Sequence, residues 1–300
     1  MIPLAIVITD FNGYARTRRC LAALYAGSQR DFRVIVVDHG TTAETAEGLA
    51  RDFPQVLRLP ASPELWWTGA TNAGIRQALT LQATRIMLLN NDCYVTSEAI
   101  ARLLREADLY PAAIVAPVQR DLQSGRLTAI APSSCFALGF PSLPGLRELN
   151  AAQREAGVIP TRLIVGGRGV VIPAPVLARV GFLDEESLPH YGADHDFYLR
   201  ARASGVPLLT ATAALVDIDN TATSAASDPG RLTFAEFRAT LHSIRSHRNL
   251  RDVSALFRRH YPVRRLYALG VLLYVGRYCA LYLVKRASFL VGRAGRERAG

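Results

Sequence analysis

The side chains in this sequence that are best suited to chemistry are carboxylates and amides that directly follow short apolar runs. Asp38 follows the aliphatic residues 34–37, and the triplet Asn90-Asn91-Asp92 follows residues 86–89. A carboxylate at a strand end can accept hydrogen bonds from a base or a ribose. Carboxylate and amide oxygens together suit Mg²⁺ or Mn²⁺. For the triplet, the alternative is an Asx-rich turn that only caps the next helix.

A second pair of acids opens a predicted helix over residues 194–204. Asp194 and Asp196 are two residues apart, so they point to different faces of that helix. One of them can face a crevice as a general base while Asp196 pairs with Arg200, four residues further on. The alternative is that both acids simply cap the helix, because carboxylates are favoured at helix N-termini.

The elements that must position these side chains follow from the hydrophobic pattern. Short β-branched runs alternate with helical patterns over the first 120 residues, which predicts a parallel sheet covered by helices. Strands are predicted at 4–9, 33–37, 56–59, 85–89 and 113–116, and helices at 17–25, 42–51, 71–81 and 97–107. Ligands bind at the carboxyl ends of the strands in open α/β sheets, so the polar clusters are expected to meet in one crevice.

The second half of the chain is expected to complete this Rossmann-like, mostly parallel α/β sheet and then to change character. A strand at 166–172, a short helix at 175–180 and a strand pair at 206–210 and 213–218 are predicted to complete the sheet. Residues 224–230 are small, polar and turn-rich, so we predict one domain over 1–225 and a helical extension over 226–300. Helices are predicted there at 234–249, 252–260 and 266–291.

Several common enzyme classes lack their residues here. The first strand leads into Asp-Phe-Asn-Gly-Tyr-Ala at 10–15 rather than G-x-G-x-x-G, which disfavours a nicotinamide-binding Rossmann enzyme. Neither a P-loop sequence nor a G-x-S-x-G elbow occurs. The four cysteines form no C-x-x-C pair, so we expect reduced thiols rather than a zinc site or a disulfide framework.

The charge of the chain is concentrated in its tail. The net charge is +10, and residues 241–300 hold 13 Lys and Arg against two acids. A near-neutral body with a basic, apolar tail predicts an anionic membrane surface as partner rather than a nucleic acid, whose enzymes carry positive charge across the working cleft. Residues 2–9 are predicted to form a buried strand and not a signal peptide, which favours a cytoplasmic protein.

The apolar segment 266–291 is predicted to form an amphipathic helix. Arg277 and Lys285 interrupt it and leave 11 residues, 266–276, as its longest uncharged run. That run is too short to span a bilayer, so we expect a helix that lies in the membrane interface. The alternative is a helix packed on the protein's own body or on a second subunit. The oligomeric state remains open.

Taken together, the polar clusters resemble family 2 glycosyltransferases, including their rhamnosyltransferase-like branch, over about residues 3–225. Six motifs occur in the family's order: V-I-T-D-F-N-G at 7–13, V-V-D-H-G-T at 36–41, W-T-G-A-T-N-A-G-I at 67–75, L-L-N-N-D at 88–92, G-F-L-D-E at 181–185 and G-A-D-H-D-F-Y-L-R at 192–200. The resemblance implies the A-type glycosyltransferase fold, a nucleoside-diphosphate-sugar donor, Mn²⁺ or Mg²⁺, and inversion at the anomeric carbon.

The resemblance also implies roles for particular residues. The implied donor contacts are Thr9, Phe11 and Asp38 at the nucleoside, Asn72 and Gly74 beside the donor, and Asn90 and Asn91 in place of part of the family's D-x-D. Asp92 would be the main metal ligand and Asp194 the catalytic base. The implied acceptor side consists of Trp66, Trp67, Asp184 and Glu185.

The sequence departs from the family pattern at three positions. Asn90 replaces the first acid of D-x-D, Ala193 replaces the Glu before the base, and Asp217 or Asp219 replaces a later histidine, with Asp217 taken as the second metal ligand. From the resemblance as a whole we expect an inverting transferase that acts on a saccharide or lipid-linked acceptor in cell-surface polysaccharide or glycolipid assembly. From the basic, apolar tail we expect it to be peripheral on the inner face of the cytoplasmic membrane. The alternative is a sugar-nucleotide-binding or scaffold protein that has lost transfer activity.

Overall fold

The computed structural model describes residues 1–222 and 229–297. The chain divides into two compact units: unit 1 consists of Met1–Ser133 and Leu143–Asn220, and unit 2 of Ser134–Ser142 and Thr221–Gly300. The domain boundary predicted between residues 225 and 226 lies outside the described residues. No feature of the sequence predicted that the short stretch 134–142 would belong with the C-terminal residues.

A central ten-stranded sheet organises unit 1. The strands along the chain are β1 (Ala5–Asp10), β2 (Arg33–Asp38), β3 (Leu57–Pro60), β4 (Arg85–Leu89), β5 (Cys93–Val95), β6 (Ile114–Asp121), β7 (Leu127–Thr128), β8 (Ser133–Cys135), β9 (Phe140–Leu143), β10 (Val158–Pro160), β11 (Arg168–Pro173) and β12 (Leu208–Ile218). The spatial order is β10-β12-β6-β11-β4-β1-β2-β3, with β5 paired to β12 and β7 to β6. Strands β8 and β9 form a separate pair.

The core of this sheet is parallel, as the sequence predicts. Strand β1 pairs in parallel with β2 and β4, β2 with β3, and β6 with β12. Strand β11 runs antiparallel between β4 and β6. Residues 34–37 of β2 are all buried, which is typical of a strand covered by helices on both faces. The predicted fold class, a mostly parallel α/β sheet with a C-terminal helical extension, is confirmed.

Within residues 1–222 and 229–297, ten α-helices accompany the strands. They are α1 (Tyr14–Ala26), α2 (Glu44–Asp52), α3 (Trp66–Thr80), α4 (Ala99–Leu109), α5 (Ala151–Glu155), α6 (Ala174–Val180) and α7 (Ala193–Ala203) in unit 1, and α8 (Phe234–Thr240), α9 (Leu250–His260) and α10 (Tyr267–Glu297) in unit 2. Helix α3 approaches the sheet closely at Gly74, where a Cβ atom would lie 2.3 Å from Cγ1 of Val7 and 2.9 Å from Cγ2 of Val37. Only glycine fits at that position.

Two predicted elements differ from the structure. The strand pair at 206–210 and 213–218 is the single strand β12, because its register with β6 shifts between Ala211 and Leu215 and a β-bulge absorbs the extra residues. The helix predicted at 234–249 ends at Thr240. Asn249 then starts α9, because its side chain accepts hydrogen bonds from the backbone N–H groups of Arg251 and Asp252.

The helices of unit 2 pack through aromatic side chains on one face of α10. The rings of Tyr278 and Tyr282 stack on Phe237 of α8, with centroids 4.8 and 4.1 Å apart. A Cβ at Gly270 would lie 2.6 Å from Phe257 of α9, so this helix pair is also close. Arg277, which interrupts the apolar run, donates hydrogen bonds to the carbonyls of Leu138 and Gly139 within the same unit.

The opposite face of α10 is aliphatic and exposed. The large apolar side chains that are at least two-fifths exposed are Leu266, which directly precedes α10, and, on the helix, Leu269, Leu272, Leu273, Leu281, Leu283, Val284, Leu290 and Val291. Among the described residues, one helical stretch, Arg264–Val291, is long and apolar enough to cross a membrane by length and composition, and 17% of its apolar 18-residue window is buried. The expectation that Arg277 and Lys285 make the segment too short to span is therefore wrong on composition alone.

Candidate functional site

Three neighbouring parallel strands bring their polar carboxyl ends to one edge of the sheet. Asp10 and Asp38 are direct partners in the β1–β2 register, and the triplet Asn90-Asn91-Asp92 follows β4 on the other side of β1. Asp10 is fully buried and accepts hydrogen bonds from the Thr45 hydroxyl at 2.9 Å and from the backbone N–H of Gly13 at 3.0 Å. Asp10 therefore fixes the turn into α1.

The nucleoside end predicted from the sequence is assembled around Asp38. Its Oδ2 accepts a hydrogen bond from Nε of Arg58 at 2.8 Å, and its side chain is 4% exposed. Phe11 is 46% exposed, with its ring centroid 5.4 Å from that of His39. Thr9, one residue before Asp10 on β1, is partly exposed. These residues form a small polar surface flanked by an exposed ring.

Two titratable side chains at this end, Arg58 and His39, are not among the predicted site residues. Arg58 lies on β3 opposite Val36, two positions before the residue paired with Asp38. The alternation of exposed Arg58 with partly buried Leu57 and Leu59 in β3 was the only available signal. Burial lowers the pKa of His39, although Asp10 and Asp38 oppose that shift. His39 is therefore neutral at physiological pH.

The triplet after β4 is held in place by its two amides. The Asn90 side-chain oxygen accepts a hydrogen bond from Nε1 of Trp67 at 3.1 Å, and its backbone N–H donates to the Gly167 carbonyl at 2.6 Å. Asn91 donates through Nδ2 to the hydroxyl of Thr17 at 3.1 Å. Asp92 is the only acid of the three, and it is partly exposed.

A second aspartate comes next to Asp92 through the sheet. The backbone N–H of Asp219 donates to the Asp92 carbonyl at 2.9 Å, where β12 continues past its pairing with β5. Asp217, the residue taken from the sequence as second ligand, instead accepts hydrogen bonds from Arg120 on both carboxylate oxygens, at 2.6 and 3.0 Å. The arrangement thus favours Asp219 over Asp217 as the neighbour of Asp92.

The carboxylate ligands at Asp92 and Asp219 fit a divalent cation that also binds phosphate oxygens. Within residues 1–222 and 229–297, no group of three His, Cys, Asp or Glu side chains forms a complete metal site. Two carboxylates are nevertheless what Mg²⁺ commonly takes from a protein when substrate phosphates and water supply its other ligands. Asp92 and Asp219 are the residues that would hold such an ion.

Asp194 lies at the start of α7 and has both carboxylate oxygens engaged. Oδ2 accepts the backbone N–H of Gly166 at 2.7 Å, and Oδ1 lies 3.3 Å from Nδ1 of His195. Burial alone would raise the pKa of Asp194, but the charge of His195 and these hydrogen bonds outweigh it and lower the pKa to about 2. Asp194 is therefore ionised throughout the physiological range.

His195 was not among the predicted site residues. Burial alone would lower its pKa, but the carboxylate of Asp194 outweighs that effect and raises it. Its Nε2 is buried and has no hydrogen-bond partner among the described residues. The only sequence signal was its position between two acids at a helix start.

Asp196 has the separate role that its spacing predicts. It is fully buried and accepts a hydrogen bond from Nε of Arg200 at 2.7 Å. Arg200 also donates to the carbonyls of Val180 and Phe182. Asp196 therefore secures the segment before α7, while Asp194 faces the glycine loop at 166–167.

This glycine loop connects the two halves of the site. Gly167 accepts the backbone hydrogen bond from Asn90, and Gly166 donates to Asp194. A Cβ at Gly167 would lie 3.2 Å from Oδ1 of Asn90 and 3.3 Å from Trp67, so a larger residue would push the triplet away. The loop thereby links Asp194 to the backbone of the triplet that contains Asp92.

The predicted acceptor residues lie around the start of α3 and the segment 182–190. Trp66 has a φ of 52°, which is unusual for a bulky residue, and its ring centroid is 5.7 Å from that of His190. Glu185 forms an ion pair with Arg76 at 3.1 Å. The carboxylate of Asp184 accepts the backbone N–H of Ser187 at 3.0 Å, which stabilises the local turn.

Two predicted donor contacts, Asn72 and Gly74, also have packing roles. The side chain of Asn72 is fully buried, donating to the Leu183 carbonyl at 2.9 Å and to Glu185 at 3.0 Å, and accepting the Leu183 N–H at 3.1 Å. Gly74 lies against Val7 within the α3–sheet contact. Asn72 and Gly74 stay predictions as donor contacts.

The fold defines the class of protein. The chain is similar to the crystal structure of GalNAc-T7 with UDP, GalNAc and Mn²⁺, with a TM-score of 0.59 and 12% identity over 73% of this chain and 44% of that one. It is also similar to residues 1–349 of *S. aureus* TarS, with a TM-score of 0.53 and 10% identity over 92% of this chain and 72% of that one. A structure of the same TarS fragment with UDP matches at a TM-score of 0.53. Unit 1 thus has the A-type glycosyltransferase fold.

The family follows from the sequence itself. The family model "Glycosyl transferase family 2" matches residues 5–158, half of the chain. The chain therefore belongs to glycosyltransferase family 2, and the resemblance noted from the six motifs is confirmed. A comparison with curated proteins finds no match. The chain spans less than half of the GalNAc-T7 structure.

Proposed function

We propose that this protein transfers a sugar from a nucleoside-diphosphate-sugar to an acceptor hydroxyl, with inversion at the anomeric carbon. The observation that carries the proposal is the glycine loop, which hydrogen-bonds to the Asn90 triplet on one side and to Asp194 on the other. A group that stabilises a leaving diphosphate and a group that accepts a proton are thereby held at one crevice. The UDP bound in the GalNAc-T7 and TarS structures supports a nucleotide donor.

In this proposal the nucleoside binds at the ends of β1 and β2. The partly exposed Phe11 offers a flat face to the base, and Asp38 accepts hydrogen bonds from the base or ribose. Thr9 lies beside them on β1. Arg58 donates to Oδ2 of Asp38, whereas Oδ1 accepts a longer hydrogen bond, from the backbone N–H of Gly40 at 3.4 Å, so we assign Oδ1 to the nucleoside.

Asp92 and Asp219 would hold Mn²⁺ or Mg²⁺ against the diphosphate. Such an ion, when bound, neutralises part of the charge that the leaving diphosphate gains. Asn90 and Asn91 position the backbone around Asp92 through their contacts with Trp67 and Thr17. The Mn²⁺ in the GalNAc-T7 structure supports a divalent ion in this class of fold.

The chemistry at the sugar follows from charge. The bond between the anomeric carbon and the diphosphate oxygen breaks, and its electron pair leaves with the nucleoside diphosphate. The acceptor oxygen forms the new bond from the opposite face, and its proton passes to Asp194. The low pKa of Asp194 keeps the carboxylate unprotonated at neutral pH. General base catalysis of this kind contributes about 10²–10⁴-fold.

The acceptor side is proposed to lie near Trp66, Trp67, Asp184 and Glu185. A saccharide presents an apolar face that packs on indole rings, and hydroxyls that bind carboxylates. The strained backbone of Trp66 agrees with a functional position, because such strain collects at ligand sites. A lipid-linked saccharide from cell-surface polysaccharide or glycolipid assembly fits this proposal best, because the basic, apolar tail is proposed to bind a membrane surface.

The tail is proposed to bind an anionic membrane surface. The exposed aliphatic face of α10 offers apolar side chains for burial at the acyl boundary, and Arg264 and Arg265 are exposed at its start. Arg286, in contrast, donates to the Gly230 carbonyl within unit 2. These features support a peripheral protein on the inner face of the cytoplasmic membrane.

An interfacial position for α10 fits unit 2 better than a spanning one. Tyr278 and Tyr282 pack on Phe237 of α8, so the aromatic face of α10 is already covered. Helices α8 and α9 carry Arg238 and Arg258. A spanning α10 would draw these cations towards hydrocarbon, which is costly. The aliphatic face alone is available to lipid.

A nucleotide-sugar panel tests the proposed function. The purified chain is screened with UDP-, dTDP- and GDP-sugars and Mn²⁺ for thermal stabilisation, and the best donor is then assayed for release of nucleoside diphosphate with candidate acceptors. We expect stabilisation by one donor class, and a product of inverted anomeric configuration by NMR. Donor binding without release or transfer would support the inactive binding protein instead, and stabilisation by no donor would contradict the proposal.

A further inference from the structure

One guanidinium beside the proposed donor site has no role in the account above. Arg168 begins β11 opposite Leu89, the residue before Asn90. A Cβ on Gly166 would lie 3.0 Å from Nε of Arg168, so the arginine side chain lies against the glycine loop. Its Nη1 donates to Oε1 of Gln119 at 3.0 Å. The guanidinium is thereby fixed between the two halves of the site.

The charge of Arg168 acts on both halves. It opposes the rise in pKa that burial and Asp92 cause in Cys93, whose Sγ donates to Oδ1 of Asp92 at 3.3 Å. Together with burial, it also opposes the rise in pKa that Asp194 causes in His195. The guanidinium therefore lies within electrostatic range of the proposed metal side and of the proposed base.

Arg168 differs from four other arginines of unit 1 in having no carboxylate partner among the described residues. Arg58, Arg76, Arg120 and Arg200 each form an ion pair with an aspartate or glutamate. Arg168, which is partly buried, makes no ion pair with any carboxylate in the part of the chain that the structure describes. A partly buried cation without a counter-charge suits an anionic ligand, because desolvation is costly unless an opposite charge offsets it.

The charge balance at the crevice indicates which anion. Asp92 and Asp219 together carry two negative charges, which cancel the two positive charges of one divalent cation. The negative charge of a diphosphate bound there is then left without a counter-charge. The planar fork of an arginine matches phosphate oxygens and binds them through two parallel hydrogen bonds. Arg168 supplies a positive charge at the place where the sequence has lost the first acid of D-x-D to Asn90.

We propose that Arg168 binds the diphosphate of the donor and stabilises the negative charge that it gains when the bond to the sugar breaks. This inference rests on the proposed function. The electron pair of the broken bond stays on the diphosphate oxygen, next to the guanidinium. The proton of the acceptor goes to Asp194, so Arg168 itself gains and loses no proton.

The test compares a nucleoside diphosphate with its nucleoside on the full chain. Binding of UDP and uridine, dTDP and thymidine, and GDP and guanosine is measured by titration with Mn²⁺ and with EDTA. Arg168→Gln is expected to weaken binding of the diphosphate by about 10- to 100-fold and to leave the nucleoside unchanged, because only charged hydrogen bonds are lost. Arg58→Gln is the matched control, since loss of its pair with Asp38 should weaken nucleoside and diphosphate alike.

The outcomes separate this inference from the proposed function. If wild type binds none of the three nucleoside diphosphates, both fail. If wild type binds one and Arg168→Gln binds it equally well, or loses nucleoside and diphosphate affinity to the same extent, the inference alone is overturned. Should Arg168→Gln not fold, Arg168→Met decides, because it keeps the length of the side chain and removes its charge: a loss confined to the diphosphate supports the inference, and unchanged affinity overturns it.

Discussion

The crevice of unit 1 and helix α10 of unit 2 have opposite kinds of surface: one consists of fixed polar groups and the other of exposed aliphatic side chains. In the crevice, polar groups such as Asp10, Asn90 and Asp194 are held by hydrogen bonds at 2.6–3.1 Å. On α10, a row of Leu and Val side chains is exposed, while the aromatic face is packed. A small polar ligand needs groups that are already oriented, whereas a lipid surface needs only apolar area and charge.

The comparison predicts that single polar changes in the crevice abolish function without unfolding the protein. Asp92→Ala is expected to remove Mn²⁺-dependent donor binding and transfer, because the proposed metal ligand is lost. The variant should still fold, since Asp92 is partly exposed and its loss leaves little buried space. Donor titration and a transfer assay with Mn²⁺ check this. Asp219→Ala should behave similarly, whereas Asp217→Asn, in the ion pair with Arg120, should retain metal response. Full activity of Asp92→Ala, or of wild type in excess EDTA, would refute the assignment.

The next largest effect is expected at the proposed base. Asp194→Asn keeps the shape of the side chain but loses its proton affinity, so transfer should fall by about 10²–10⁴-fold. Donor affinity should hardly change, which kinetic assays and titration separate. Asp196→Asn serves as comparison, because Asp196 binds Arg200. If Asp196→Asn proves to be the catalytically damaging, well-folded variant and Asp194→Asn is mild, the base has been assigned to the wrong acid.

The contrast with unit 2 is sharpened by charges placed on the exposed face of α10. Leu272 and Leu283 are 66% and 64% exposed, so the double change Leu272→Glu, Leu283→Glu should leave the fold intact. Flotation with vesicles containing phosphatidylglycerol should show a loss of binding of about 10-fold or more, since burial of each leucine contributes about 1.5–3 kcal/mol.

A matched control lies in unit 1, where Leu109 is 63% exposed. Leu109→Glu should bind vesicles as wild type does, and donor binding should be unchanged in both variants. Equal vesicle binding by wild type and the double variant would show that α10 is not the lipid-binding element. Resistance of wild type to extraction from membranes at alkaline pH would indicate a spanning helix.

The smallest expected effect concerns the stability of unit 2. Asp252 is buried, its Oδ2 has no hydrogen-bond partner among the described residues, and burial raises its pKa to about 6. The folded state therefore holds this proton more tightly than the unfolded state. Stability is lost as the pH rises from about 4 through about 6. Asp252→Asn should raise the free energy of unfolding at pH 7 by an amount on the order of 1 kcal/mol, and with it the melting temperature. At pH 4 the change should have little effect. A variant that melts below wild type at pH 7 would contradict this.

Much of the sheet could be predicted because its signals are local. Strands β1, β2 and β4 begin and end within one residue of the predicted bounds, since their aliphatic runs stop at Asp10, Asp38 and Asn90. The same runs placed the polar clusters at one edge, because parallel strands share the direction of their carboxyl ends. The pairing of Asp196 with Arg200 was also accessible, since it depends only on helical spacing.

The remainder depended on contacts between distant residues. Gly74 packs on Val7 and Asn72 binds Leu183, and neither partner can be read from the motif that contains them. The pairing of Asp217 with Arg120 arises from the register of β12 with β6, which shifts at a bulge that the sequence does not signal. Asp219 lies beside Asp92 because β12 pairs with β5, a pairing between distant segments that the local sequence does not indicate.

Hydrogen–deuterium exchange of the full chain, with and without the stabilising nucleoside diphosphate and Mn²⁺, tests the central claim most directly. The account predicts slower exchange at residues 9–13, 38–41, 90–93 and 166–168, which form the strand ends and the glycine loop, and unchanged exchange in α10. Protection confined to residues 229–297, or binding without protection at any of the four segments, would contradict it.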